Sequence, residues 1–433
     1  MRSWIHLAVA TAPLAISAAC ASSEDQAAPA PEPPTSTVLD ADAPDASAPV
    51  SDGDVPDTSL PRCSASGWCV TPFPDEDLDF RDIWPFEDRA FAIAESRTQG
   101  VKVLEWQKST DAWQYIDDAS QNVVGVETFA GRIYAPNEDE VYFTVSPSFV
   151  YRGKRPNASE SAWSWTRHVL PDNVLGHLPP DDHGRPYYVT TGMTQVTLGV
   201  WGVGVDDVYA YYSNAIFRRD PLHGTWSSVY LANDAEPNEH IFFTAAAGAG
   251  PDDIWFSGAR DRSRYACPLL VRKTADAWIR VADGIVTDSC GVRAGTVRIG
   301  EGFAGWLTEL QAISPTEYIG LQDAMNPWNL DHVSLMKVRV EDGGYSVDHS
   351  AVPIKNASSI APQVASSVWR VNGDTWFTSL GLVLRGTEDG AFAVSTISRD
   401  GAPVGAPLHR IRGTSNQNLW AIGARHAYHK TTP

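Results

Sequence analysis

The stretch Gly199-Val-Trp-Gly-Val-Gly-Val-Asp-Asp-Val-Tyr-Ala constrains this chain more than any other feature, because it recurs. A second copy reads Gly248-Ala-Gly-Pro-Asp-Asp-Ile-Trp-Phe-Ser-Gly, and a third reads Gly413-Thr-Ser-Asn-Gln-Asn-Leu-Trp-Ala-Ile-Gly. Each reads as a short strand, a tight polar turn, and a second strand that opens on an aromatic residue. Self-similar units at spacings of this size are the signature of a repeat architecture. The acids in the turns (Asp139-Glu140, Asp206-Asp207, Asp252-Asp253, Asp374) read as turn formers, because Asp and Asn bond their own backbone two residues on. They lack the spaced acidic loop that calcium needs.

Seven units can be laid out, with second strands opening on Phe91, Tyr142, Tyr209, Trp255, Tyr318, Trp376 and Trp420. A third strand follows, as at 215–219 and 269–273. A fourth begins near Trp113, Trp165, Trp226, Trp278, Tyr345 and Phe392 in units one to six. Four short strands per unit, repeated radially, predict an all-β fold, a seven-bladed β-propeller. Residues 64–433 divided by seven leave about 53 per unit, close to the roughly 50 of kelch blades. The glycines of the first strands fit a crowded central axis, and the 16 tryptophans are expected to fill gaps between sheets.

The seventh unit ends after a third strand at 427–430. The stretch Gly67-Trp-Cys-Val-Thr71, which resembles Gly224-Thr-Trp-Ser-Ser228, is expected to supply its fourth strand. That closure removes two sheet edges at once. Cys63, Cys69, Cys267 and Cys290 form an even set in an exported chain, so disulfides are expected. In a propeller the loops between strands 2 and 3 share a face with those between blades. Cys267 and Cys290 lie in one loop of each kind and should meet, leaving Cys63 to pair with Cys69.

Ahead of the repeats, residues 1–20 read as an export signal: Arg2 is followed by an apolar core too short to span a membrane stably. Ile16-Ser-Ala-Ala-Cys20 resembles a bacterial lipobox, which implies that Cys20 becomes the lipidated first residue. Ser17 departs from the usual Leu, and cleavage after Ala21 is the alternative. Residues 21–62 are rich in Ala, Pro and Asp and almost free of large apolar side chains, which predicts a disordered tether. The folded domain is then 63–433.

The units also resemble those of bacterial lipoprotein β-propellers with Gly-x-Gly-x-x-Asp-[Val/Ile]-[Trp/Tyr] repeats. The resemblance covers about residues 64–433 and implies fold and export, but no activity. It places the protein in the cell envelope, as an outer-membrane lipoprotein because Ala21 is not an Asp retention signal; a secreted or periplasmic soluble protein is the alternative. A likeness to the sialidase Asp-box is weaker. Asp111 to Trp113 and Asp276 to Trp278 are too closely spaced, and the arginine triad and catalytic tyrosine cannot be placed.

The chain carries 53 acids against 33 bases, a net charge of -20, which excludes a nucleic-acid partner that would need a basic face. No Ser-His-Asp or Cys-His arrangement, P-loop or dinucleotide fingerprint is readable, and no cofactor is expected. His177, Asp181, Asp182 and His183 are a weak metal candidate on a Pro-rich loop. Longer connections at 171–194, 232–240, 259–267, 281–297 and 321–333 all fall on one face. That face is expected to bind ligand through Arg185, Arg260, Arg262 and Arg264 as anion anchors, with Tyr265 and Trp328 as stacking partners. The expected role is a binding or interaction module for a glycan, peptide or envelope protein. The alternatives are a scaffold subunit of an envelope assembly and a polysaccharide-active enzyme.

Overall fold

The computed structural model describes residues 62–432, apart from 119, 122–128, 158–160, 172–189, 192–194, 238, 263–264, 288, 301–304, 324–332, 353–364, 388–390 and 399–403. Every regular element among these residues is a strand, and the strands form seven blades around one axis. Blades one to six occupy 79–115, 130–169, 198–231, 240–286, 306–351 and 365–395, each with its first strand innermost and, save in blade four, its fourth outermost. Blade seven takes 408–430 and receives its outer strand from the start of the domain. Trp68–Val70 runs antiparallel to His426–Lys430, with Trp68 opposite Lys430 and Val70 opposite Tyr428. The expected closure is therefore present, and the expected pairs Cys63–Cys69 and Cys267–Cys290 are both bonded. The disulfides mark an oxidising location, outside the reducing cytosol.

The repeat aromatics sit on the second strands and the later aromatics on the fourth, as expected. The acids at the head of the second strand do more than start turns. In blades two, three, four and six the acid pairs with an arginine on the third strand: Glu140 with Arg152 at 2.8 Å, Asp207 with Arg218 at 2.8 Å, Asp253 with Arg272 at 2.7 Å, and Asp374 with Arg385 at 2.6 Å. Each guanidinium lies over the repeat aromatic, 5.2–5.9 Å from its ring centroid. The repeat is thus an acid–aromatic–arginine unit that ties strands 2 and 3 together.

Other blades vary the theme. Blade one inverts it, with Arg89 on the second strand pairing with Glu105 on the third at 2.5 Å. Blade seven replaces it with Asn418, Trp420 and His429, whose rings stack at 4.0 Å. Burial holds the His429 imidazole down at about 4.

Blade four departs from the expected loop lengths. Its second and third strands, Asp253–Arg262 and Tyr265–Thr274, pair along their full length, so 259–262 and 265–267 of the expected long loop are ladder. Its fourth strand, Trp278–Val286, is followed by a fifth, Cys290–Val292, on the outer edge. Most of the connection expected at 281–297 is therefore sheet. The Cys267–Cys290 bond pins that added strand to the hairpin, and the pairing shields an edge that would otherwise be open.

In six blades the first strand carries a β-bulge near its start, and blade three does not. Bulges re-aim side chains, and here they bring polar groups of the inner strands to the axis. Blade three reaches the axis differently. A Cβ on Gly199 would lie 2.2 Å from the Tyr211 hydroxyl, so only glycine lets that tyrosine occupy its place.

Candidate functional site

The axis itself is filled. Glu309 of blade five accepts from Arg132 of blade two at 3.2 Å and from Arg410 of blade seven. Arg410 also meets Asp82 of blade one at 3.1 Å, and Asp82 accepts the Ile133 amide at 3.0 Å. The Tyr211 hydroxyl donates to the Thr244 carbonyl at 2.7 Å. Asp82, Glu309 and Arg410 are buried. Burial pushes the Glu309 carboxyl up to about 7, against the pull of Arg132 and Arg412. This network joins four blades across the ring, so the centre acts as a polar core.

On the face bearing the strand 2–3 loops, the structure corrects the expected anchor. Arg260 is fully buried. It makes a two-pronged contact with Asp283 at 2.7 and 3.0 Å and bonds Glu239 at 2.7 Å and Asp234 at 3.2 Å. Burial opposes its charge, but Asp283 and Glu239 more than offset this and hold the guanidinium ionised. Arg280 completes the cluster, bonding Asp234 and Asp283 and drawing the Asp234 carboxyl well below its usual range. Arg260 is therefore a staple between the blade-four hairpin, the fourth strand and the connection from blade three. It has no donor left for a ligand. Arg262 is exposed and Tyr265 is half-buried at the tip of the same hairpin. Arg185, Arg264 and Trp328, and the metal candidate His177, Asp181, Asp182 and His183, lie outside the described residues.

The opposite face, where first and second strands turn, holds a feature the sequence reading missed. In each blade one first-strand residue pairs directly with the repeat aromatic. Around the ring these are Trp84, Tyr134, Trp201, Ala247, Ala312, Trp369 and Arg412. Five of them touch in succession. Arg412 lies over Trp369 at 5.7 Å and over Trp84 at 5.1 Å. Trp84 meets Tyr134 edge-on at 4.9 Å, and Tyr134 lies 6.5 Å from Trp201. Trp201 leans towards blade four, where a Cβ on Gly248 would come within 2.8 Å of its ring.

The result is an arc of aromatic rings and one guanidinium through blades six, seven, one, two and three, with alanines at the equivalent positions of blades four and five. Trp84, Trp201 and Trp369 are half-buried, unlike the fully buried Trp106, Trp255, Trp376 and Trp420. The signal that would have found them is an aromatic seven or eight residues ahead of the repeat aromatic.

Fold and face together define a β-propeller with a closed ring, an axis crossed by buried ion pairs and an aromatic arc on one face. Solved structures of the same architecture match along nearly the whole domain. YCF48 from Cyanidioschyzon merolae aligns with a TM-score of 0.51 at 13% identity, covering 85% of this chain and 99% of that one. YCF48 bound to D1 peptide aligns with a TM-score of 0.52 at 9% identity, covering 87% and 98%. PorZ, described as an essential bacterial surface component of the type-IX secretion system of Porphyromonas gingivalis, aligns with a TM-score of 0.50 at 12% identity, covering 83% of this chain and 47% of PorZ. No family model matches the sequence, and no curated protein matches it. At these identities the likeness shows the fold.

Proposed function

We propose that this protein is a non-catalytic interaction module, exported and held in the cell envelope by a lipid on Cys20, whose propeller binds a peptide or protein segment. The observation that carries the reading is the arc Trp369–Arg412–Trp84–Tyr134–Trp201. Aromatic side chains bury large area at low conformational cost and dominate the binding energy of protein interfaces. Half-buried tryptophans on a rigid inner strand are pre-organised for that role. A propeller of the same fold is solved with a peptide bound, so the architecture accommodates such a ligand.

Asp82 and Glu309 do converge at the axis. Both are buried and engaged by arginines, which favours a structural role for them over acid–base work on a polysaccharide. The exposed Arg262 and half-buried Tyr265 at the blade-four tip support a second reading, in which the ligand sits on the strand 2–3 loop face.

A random-sequence peptide array probed with the full chain separates the two. Trp84→Ala/Trp201→Ala should abolish most of the bound spots while Arg262→Ala/Tyr265→Ala leaves them. The reverse pattern would move the site to the blade-four tip, and an array with no bound spots would remove the peptide-binding reading.

A further inference from the structure

The aromatic arc is bordered by carboxylates, and their partners divide them into two groups. Asp207 and Asp253 face inward to Arg218 and Arg272. Asp88, Glu138 and Asp139 are exposed but paired with Lys108, Arg89 and Arg155. Glu87, Asp206 and Asp252 are exposed and have no ion pair among the described residues; Glu87 accepts the Thr414 hydroxyl at 3.3 Å and feels the charge of Lys108, which pairs with Asp88. These three stand on the turns between first and second strands of blades one, three and four. Glu87 follows Trp84 by three residues, and Asp206 follows Trp201 by five. Asp252 sits where the aromatic arc gives way to Ala247. Arg412 does not cancel them, because its guanidinium is directed to the Ile83 carbonyl at 3.0 Å and to buried Asp82 at 3.6 Å.

The molecule shows what such a combination holds. In blades two, three, four and six an acid and an aromatic ring together clasp a guanidinium. Trp84 already carries the Arg412 guanidinium over its ring, whereas Trp201, whose own hairpin bears Asp206, has no cation over it among the described residues. An ammonium or guanidinium over the face of an indole is attracted by the ring quadrupole, and a carboxylate alongside adds a charge-assisted hydrogen bond. Three such acids on the turns of three blades call for several cations on one extended chain.

We infer that the ligand of this face is a basic peptide segment of a partner protein, whose Lys or Arg side chains pair with Glu87, Asp206 and Asp252, one of them lying over Trp201. This rests on the reading that the arc is the binding face. It adds the chemistry of the partner, and it sets the neutral or acidic glycan aside.

The test uses the full chain and a labelled twelve-residue peptide alternating Arg and Gly, with the Glu/Gly and Ser/Gly peptides beside it, followed by fluorescence anisotropy. Because the protein is acidic overall, the variant Glu87→Gln/Asp206→Asn/Asp252→Asn is compared with Asp276→Asn/Glu341→Gln/Asp342→Asn. The second variant removes the same charge from exposed positions on other turns. The Arg peptide should bind, with the first variant weakened at least tenfold, the second changed by no more than about twofold, and Trp201→Ala weakened at least tenfold. Absence of Arg-peptide binding, equal loss in both charge variants, unchanged binding by Trp201→Ala, or equally tight binding of the Glu or Ser peptide would overturn the inference. Array spots that vanish in the double tryptophan variant but hold uncharged or acidic sequences would keep the arc as the site while refuting its basic ligand.

Discussion

Trp68→Ala should lower the stability of the ring by about 3–5 kcal/mol, the usual cost of truncating a fully buried tryptophan. Trp68 has no exposed surface. Its ring meets Trp376 of blade six edge-on at 6.0 Å, and its indole N–H donates to the Ser395 hydroxyl at 2.8 Å. The edge contact contributes about 0.5–1.5 kcal/mol of that loss. The strand bearing it is only three residues long and closes blade seven with a single ladder, reinforced by Thr71 donating to the Ala427 carbonyl and Lys430 donating to the Ser66 carbonyl. The Cys63–Cys69 bond cannot substitute, because it links residues that are only six apart.

Urea unfolding followed by far-UV circular dichroism avoids the change in tryptophan emission that the substitution itself causes. With a denaturant slope of roughly 4 kcal/mol/M for a domain of this size, the midpoint should fall by about 1 M. A midpoint within about 0.2 M of the wild type would refute the reasoning. So would a double-mutant cycle with Trp376→Ala that shows no coupling.

Arg260→Ala should cost about 3–5 kcal/mol, because it strands Asp283 and Glu239 without a counter-charge in the interior; the check is thermal unfolding, and a variant that melts like the wild type would contradict the assignment. Glu309 binds its proton more tightly in the folded ring, at about 7, than in the open chain. Its contribution therefore favours folding at low pH and is lost as pH rises from about 4.5 to 7; Glu309→Gln should remove this segment of the stability–pH curve. His429 acts in the opposite sense: held neutral down to about 4, it makes the fold less stable as pH falls from 6.5 towards 4, a slope that His429→Gln should flatten. Cys20→Ala should shift the protein from the membrane to the soluble fraction of cells, and a wild type that is already soluble would exclude the anchor.

Local chemistry is what the sequence by itself determined. The turn acids, the aromatic that opens each second strand and the aromatic that opens each fourth all act within one hairpin. Their spacing therefore announces four strands per unit and seven units. The closing strand and both disulfides were legible for a related reason: once the units are counted, one strand is missing and only one segment resembles it.

Arg260 and the aromatic arc were not legible in that way. Arg260, Arg262 and Arg264 look alike in sequence, and their spacing of two gives them the same parity along a strand, so alternation cannot tell them apart; position along the hairpin separates buried Arg260 from exposed Arg262 at its end. Only the packing of Asp234, Glu239 and Asp283 around Arg260 makes its burial tolerable. The arc draws single residues from five blades, separated by dozens to hundreds of positions; an aromatic seven or eight residues ahead of the repeat aromatic marks four of them, but nothing within one unit shows that they meet. Ring closure sets Arg412 beside Trp84, and the bulges of the inner strands bring Arg132, Glu309 and Arg410 to one point. Contacts of that kind depend on where the chain returns, which no local pattern encodes.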